Sequence, residues 1–261
     1  MPGAGDRMET KTLLIKKKAF PIPLSFLWRL THTIPYLIGG FTFLFGSLCY
    51  FTTSTGVLLA GDYETGGWLF TVGSIGFLFA DVFEWSRNNR VGCIDSAEER
   101  VEWEHKNSGY MTDGRRSLLK LSCGESWMRA ENGVNFAYSA LGSLLYLIGS
   151  VMFIPELDSI VLGTWVFIFG SAIIFTSQAW KIYRCESFSD DVTAVNVDAF
   201  AGLGGLAYLV GSTQFLPAYD LNDADTNAAA AWFTLGGSAF TLSGLAIVYR
   251  YFIAHPPMYE T

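Results

Sequence analysis

Apolar residues dominate six stretches of the chain, 34–51, 66–83, 134–154, 162–180, 199–217 and 229–249, and polar residues gather between them. Each stretch holds about 18 or more residues. At 1.5 Å per residue that is enough to cross a hydrocarbon layer of about 30 Å. The apolar runs are notched: "AYSALGSLLYLIGSVMFIP" (137–155) carries Gly142-Ser143 and then Gly149-Ser150 seven residues on. Seven residues make two helical turns, so the two glycines lie nearly in line on one face. The pattern predicts an all-α membrane protein of six transmembrane helices, each packed along a small-residue seam. In lipid, association rests on van der Waals contact, and small residues let backbones approach. The serine hydroxyls can bond their own i−4 carbonyls or a neighbouring helix.

The notches recur. The odd stretches read "IGGFTFLFGSLCYF" (38–51), "LGSLLYLIGSVMFI" (141–154) and "LGGLAYLVGSTQFL" (203–216), with Gly39, Gly142 and Gly204 seven residues before Gly46, Gly149 and Gly211. An aromatic stands three before the second glycine (Phe43, Tyr146, Tyr208) and another three after its serine (Tyr50, Phe153, Phe215). The even stretches read "WLFTVGS" (68–74), "WVFIFGS" (165–171) and "WFTLGGS" (232–238), which aligns Gly73, Gly170 and Gly237. Trp68, Trp165 and Trp232 open these stretches and suit an interfacial aromatic belt. Six matches in register predict three tandem two-helix hairpins, at 31–87, 134–184 and 185–252. Around them lie a basic segment (1–30), an insert (88–133) and a tail (253–261). Two-span units all enter the membrane in one direction, unlike the inverted repeats of alternating-access transporters.

Charge sets the expected orientation. All 17 Lys and Arg fall before the first stretch, between the second and third, after the fourth or at the end of the sixth. The opposite connections hold Asp62, Glu64, Glu156, Asp158, Asp220, Asp223 and Asp225, and no basic residue. The positive-inside rule then puts both termini and the insert in the cytoplasm. Charged residues make up 16% of the chain, against about 25% in soluble domains, which supports an integral multi-pass location in a lipid bilayer. The net charge of −7 opposes nucleic-acid binding. The run Lys16-Lys17-Lys18 reads as an orientation signal that meets anionic headgroups. The four cysteines are not placed for a disulfide or a zinc site.

Ionisable residues inside a span are functional candidates by default. Asp81 lies about 20 Å beyond Trp68 along its helix, and Glu84 follows three residues later, in reach of Arg87. Asp198 opens the fifth stretch, His32 the first and Asn135 the third, with Gln178 near the end of the fourth. One reading gathers Asp81, Glu84, Asp198 and His32 into a cation or proton site at the cytoplasmic end. The other is structural: Glu84 pairs with Arg87, Asp198 sits near a helix N-terminus, and Asp81 takes His32 or Asn135 as a partner. In the insert, Ser96 and Glu99 form a capping box, 114–130 suits an interfacial helix, and Ser117 follows Arg115-Arg116 as a phosphorylation candidate. No Gly-x-Ser-x-Gly elbow, P-loop or paired-histidine motif is present. No enzyme activity and no cofactor are therefore expected.

The Gly-rich hairpin, with aromatic-x2-Gly-Ser-x2-aromatic, an acidic turn and Trp-x4-Gly-Ser, resembles the YrhK-like domain, a two-span module found singly and in tandem. The resemblance covers the three hairpins, excludes the termini and insert, and implies a fold without an established activity or functional residues. Mitochondrial carriers also use three hairpins, but require Pro-x-acidic-x-x-basic at the ends of odd helices. Here those ends read "SLCYFTTS", "FIPELDS" and "FLPAYDL", with no basic partner. The expectation is an accessory or scaffold subunit, or a homo-oligomer, with a protein partner or a second copy. The alternative is a small ion or proton channel or transporter with an inward-facing acidic pocket.

Overall fold

In the computed structural model, residues 26–93, 123–188 and 192–254 are described, with side chains over 26–85, 134–183 and 192–254. Lys16-Lys17-Lys18, Ser96, Glu99, Ser117, His105, His255 and the Arg87 side chain lie outside the described residues. Within them the chain forms six long α-helices and no strand: α1 (Phe26–Leu48), α2 (Tyr63–Cys93), α3 (Cys123–Met152), α4 (Ile160–Phe188), α5 (Val192–Gln214) and α6 (Asp223–Val248), which runs on as a π-helix over Tyr249–Ala254.

Five helices, α2 to α6, are long and apolar enough to cross a membrane. The sixth, α1, has the length, at 23 residues, but its first half carries Arg29, Thr31, His32 and Thr33, which lowers its hydropathy below the other five. The helices also outrun the apolar stretches. A helix propagates once nucleated, whereas the stretches mark only what is apolar. α3 begins at Cys123, so the second half of the expected interfacial helix at 114–130 is the first part of α3 itself.

Tight turns join α1 to α2, α3 to α4 and α5 to α6. The first closes where Gly61, with φ +84°, donates its N–H to the Cys49 carbonyl at 3.1 Å. The last is capped by Asn222, whose side chain accepts from the N–H groups of Ala224 and Asp225, while Asp223 and Asp225 favour the positive end of the α6 dipole. Each helix packs against its neighbours in sequence, and α6 returns to pack on α1. The six form a closed ring.

Rings seated in glycine notches hold each hairpin together. Phe70 rests on Gly46 and Phe77 on Gly39; Phe167 rests on Gly149 and Ile174 on Gly142; Phe233 rests on Gly211 and Phe240 on Gly204. The seven-residue step between glycines therefore matches a seven-residue step between knobs on the facing helix. The reciprocal notches take the odd-helix aromatics: Phe43 on Gly73, Tyr146 on Gly170 and Tyr208 on Gly236. The last glycine is one residue earlier than the Gly237 that the Trp-x4-Gly-Ser alignment pairs with Gly73 and Gly170. Gly237 instead lies against the backbone of Leu44, where a β-carbon would fall 2.6 Å from its Cα. Direct backbone approach occurs within hairpins, where a β-carbon on Gly76 would fall 2.5 Å from the Pro35 carbonyl oxygen and one on Gly211 3.1 Å from that of Ala229. It also occurs at the junctions between them: Gly237 on Leu44, Gly40 on Thr241, Gly205 on Phe175 and Gly67 on Ile154.

The rings meet on the bundle axis. Phe43 lies 5.0 Å from Phe70, 5.6 Å from Tyr146 and 5.2 Å from Tyr208, and Tyr146 stacks on Phe167 at 4.8 Å. All five are fully buried. Their hydroxyls are absorbed by the Gly-Ser serines. Tyr146 Oη is 2.9 Å from Ser171 Oγ, and Tyr208 Oη is 2.8 Å from Ser47 Oγ. Ser47 and Ser150 donate to the i−4 carbonyls of Phe43 and Tyr146, and Ser150 also reaches Ser74 on α2 at 2.9 Å. Both serine uses expected from the sequence occur.

The outer face has the opposite character. Ile34, Ile38, Phe41 and Phe45 on α1, and Val72, Ile75, Phe79 and Val82 on α2, step by three and four and are all exposed. A protein that hides hydroxyls and displays aliphatic stripes is built for an apolar solvent. Trp68, Trp165 and Trp232 stand exposed at the turn end of this surface, where interfacial anchors belong.

Candidate functional site

The end of the bundle opposite the turns gathers charged side chains from α1, α2, α4 and α5 and polar ones from α3. Asp81 and Glu84 lie one turn apart near the end of the apolar part of α2. On α3, Asn135, Ser139 and Ser143 follow at four-residue intervals and share a face. Asp81 Oδ1 accepts from Ser139 Oγ at 3.2 Å, and Oδ2 accepts from Ser143 Oγ. These two serines, rather than His32 or Asn135, are its partners. Asn135 bonds elsewhere, its Oδ1 accepting from Ser177 Oγ at 3.1 Å. Because α3 begins at Cys123, Asn135 lies well inside the helix rather than opening it.

Glu84 pairs with Lys181 of α4, Nζ to Oε2 at 3.5 Å. The Arg87 side chain lies outside them. Lys181 also lies over the Phe136 ring, 4.9 Å from its centroid, so its ammonium is placed by α2 and α3 together. Its charged neighbours are Glu84, Asp198 and Asp81. Asp198 stands seventh in α5, which starts at Val192, so it is well past the N-terminal turn. Its charge acts on this ammonium, and it stands beyond the first turn, where the helix dipole is strongest.

α1 brings Arg29 and His32, both buried. His32 falls in the second turn of α1, not at its opening, because the helix starts at Phe26. Its ring stacks on Trp28 at 5.1 Å and tilts against Tyr251 at 5.9 Å. Arg29 donates to the Tyr251 carbonyl. A π-helical turn loosens the i−4 ladder and frees carbonyls, so the widened end of α6 supplies an acceptor for the guanidinium. Tyr36 of α1 reaches Ser243 of α6 at 3.1 Å, and Ser243 donates to the Val197 carbonyl of α5 at 2.8 Å.

The structure thus brings Asp81, Glu84, Asp198 and His32 to one end, as the sequence suggested, and adds Lys181, Arg29, Ser139 and Ser143. Lys181 looked like an edge residue by position, and only its inward face on α4 makes it central. Arg29 lay outside the first apolar stretch, which hid that α1 begins eight residues earlier. Ser139 and Ser143 stood at i and i+4 in the quoted stretch, a legible signal for two hydroxyls on one helix face. Among the described residues, no group of three or more His, Cys, Asp or Glu is placed to hold a metal ion. Such a set is what tight transition-metal binding needs.

Each packing glycine named from the sequence (Gly39, Gly46, Gly73, Gly142, Gly149, Gly170, Gly204, Gly211 and Gly237) has a neighbour too close for a β-carbon without a shift. Cys49 is buried and free.

No curated protein and no solved structure matches the chain. A match to the model of the YrhK-like protein family spans residues 27–88. That range covers nearly all of α1 and most of α2, so the similarity to this family lies in the first hairpin.

Proposed function

We propose that the chain is a non-enzymatic, multi-pass membrane protein that acts by association, as an accessory or scaffold subunit of a membrane assembly or as a homo-oligomer. It is built of three hairpin repeats that enter the bilayer in one direction, with the termini and the 88–133 insert in the cytoplasm. The recurring knob-in-notch contacts support the repeat reading, once the third even helix is registered on Gly236. The observation that carries the functional reading is the filled axis. Phe43, Phe70, Tyr146, Phe167 and Tyr208 meet there with no exposed surface, a packing suited to a rigid body rather than a water-filled path. The ring uses both edges of every hairpin. Partners are left the aliphatic outer face and the charged end.

The native mass of the gently solubilised protein, with mass spectrometry of what co-migrates, tests this. Stoichiometric foreign polypeptides or a homo-oligomer are expected; Gly142→Leu or Gly149→Leu, whose notches are filled by Ile174 and Phe167 of the same chain, should break the fold and the assembly with it. A lone monomer would overturn the association reading.

A second reading rests on the convergence of Asp81, Glu84 and Asp198 around Lys181 at one end. It describes a small ion or proton channel or transporter with an inward-facing acidic pocket. It requires flux in liposomes that Asp81→Asn abolishes while the protein stays folded.

A further inference from the structure

We propose that Asp81, Ser139 and Ser143 form a binding site for one small monovalent cation of sodium size at the α2–α3 junction. This refines the ion-site reading but requires only binding, so it is equally compatible with a protein that acts by association.

Three observations carry it. The first is the donor set. Asp81 has hydroxyl oxygens on both of its carboxylate oxygens, Ser139 at 3.2 Å and Ser143 on the other side. Oxygen donors with one negative charge suit a hard monovalent ion and leave a divalent ion under-neutralised.

The second is charge. Lys181 acts on Asp81 through its charge, but its contact is with Glu84 at 3.5 Å. Among the described residues the hydrogen-bond partners of Asp81 are two neutral hydroxyls, and neither neutralises a carboxylate at that depth in a span.

The third is where the chain departs from its own pattern. Matched through their ring contacts, the positions after Gly39, Gly142 and Gly204 are Gly40, Ser143 and Gly205. Gly40 and Gly205 lie against the backbones of Thr241 and Phe175. The positions matching Asp81 are Gln178 and Gly244. At one junction of three, a close glycine contact is given up for a carboxylate facing hydroxyls, and both departures occur at the same junction.

Binding needs no large rearrangement. The two hydroxyls now donate to Asp81, and Ser139 Oγ also accepts from Gln178 Nε2 at 3.5 Å. A cation would take the carboxylate and the hydroxyl lone pairs, displacing that long amide contact. The hydroxyl hydrogens can then turn to their own i−4 carbonyls, as Ser47 and Ser150 already do. Asp81 is partly exposed at the charged end, which leaves a way in and room for water to complete the coordination.

The test uses the full chain in detergent, unfolded by heat under tryptophan fluorescence in sodium, potassium or choline chloride at constant ionic strength. Sodium should raise the transition temperature saturably, by roughly 5 °C or more at about a hundredfold excess over half-saturation. Asp81→Asn should abolish the shift. Ser143→Ala should raise the half-saturating concentration about tenfold or more, and Tyr208→Phe, which removes a hydroxyl bonded to Ser47 and not to the site, should leave it unchanged. Equal curves in sodium and choline, or a sodium shift that survives in Asp81→Asn, would overturn the proposal. So would a shift that follows pH alone, which would assign the site to a proton. If Asp81→Asn fails to fold, the Ser143→Ala titration decides. Native mass and flux are separate measurements, so failure of either functional reading is distinguishable from failure of this site.

Discussion

The turn-end part of the bundle and its charged end are made of the same six helices but solve opposite problems. Near the turns and through the middle, aromatic knobs and glycine notches recur in all three hairpins, and the buried polar groups there are neutral hydroxyls bonded within a turn or across one seam. At the other end almost nothing recurs. Arg29 and His32 on α1, Asp81 and Glu84 on α2, Lys181 on α4 and Asp198 on α5 each appear once. Repetition marks the part of the molecule that specifies the fold, and its loss marks the part where the chain acquired individual chemistry. The difference has a physical basis: a ring in a notch is satisfied by shape and can be copied, whereas a charge in a bundle needs a particular partner.

Substitutions can break this contrast. The largest effect is expected from Phe43→Ala, which empties a site where six other rings meet. Its cost should be about 3 kcal/mol, the low end of the range for core Phe→Ala, because lipid does not penalise apolar exposure as water does. Reversible unfolding in mixed micelles would measure it. Gly237→Leu comes next. Its side chain would enter the Leu44 backbone, which cannot move aside as a ring can, at a cost of about 2–3 kcal/mol. A ring that opens at α1–α6 should show as early-eluting, polydisperse protein on size exclusion.

Lys181→Met tests the charged end, since it strands Glu84. Both side chains keep some solvent contact, 15% and 29% exposed, so the loss should be about 1–2 kcal/mol rather than the full penalty of a buried pair. The double variant Glu84→Gln/Lys181→Met should regain most of it. A loss as large as that of Phe43→Ala would mean the charged end also specifies the fold. The smallest effect is expected from Tyr208→Phe, which removes a hydroxyl shared with Ser47 and the Phe43 carbonyl. Interhelical bonds in membranes average about 0.6 kcal/mol.

The single misregistered glycine shows how far the pattern could be read. "WFTLGGS" offers two adjacent glycines, and the alignment took the one before the serine. Contact chose Gly236, because Tyr208 needs its notch on the α5 face of α6, while Gly237, one residue on, faces α1. Adjacent residues on a helix point about 100° apart, so the choice could not be made without knowing which neighbour lies on which side. The partners of Asp81 were hidden for a similar reason. His32 and Asn135 seemed eligible by depth along the membrane, but depth does not fix the angle about the helix axis.

Along one dimension the sequence is sufficient. The apolar stretches, the seven-residue notches and the segregation of basic residues determine helix number, hairpin order and the end at which charges collect, because each depends on position along an axis that the chain itself counts out. Tertiary structure alone decided that α6 closes on α1, that large side chains of the facing helix fill the notches within each hairpin, and that Lys181 answers Glu84 while Ser139 and Ser143 answer Asp81. Those outcomes depend on rotation about the helix axes, and rotation is set only when all six helices pack at once.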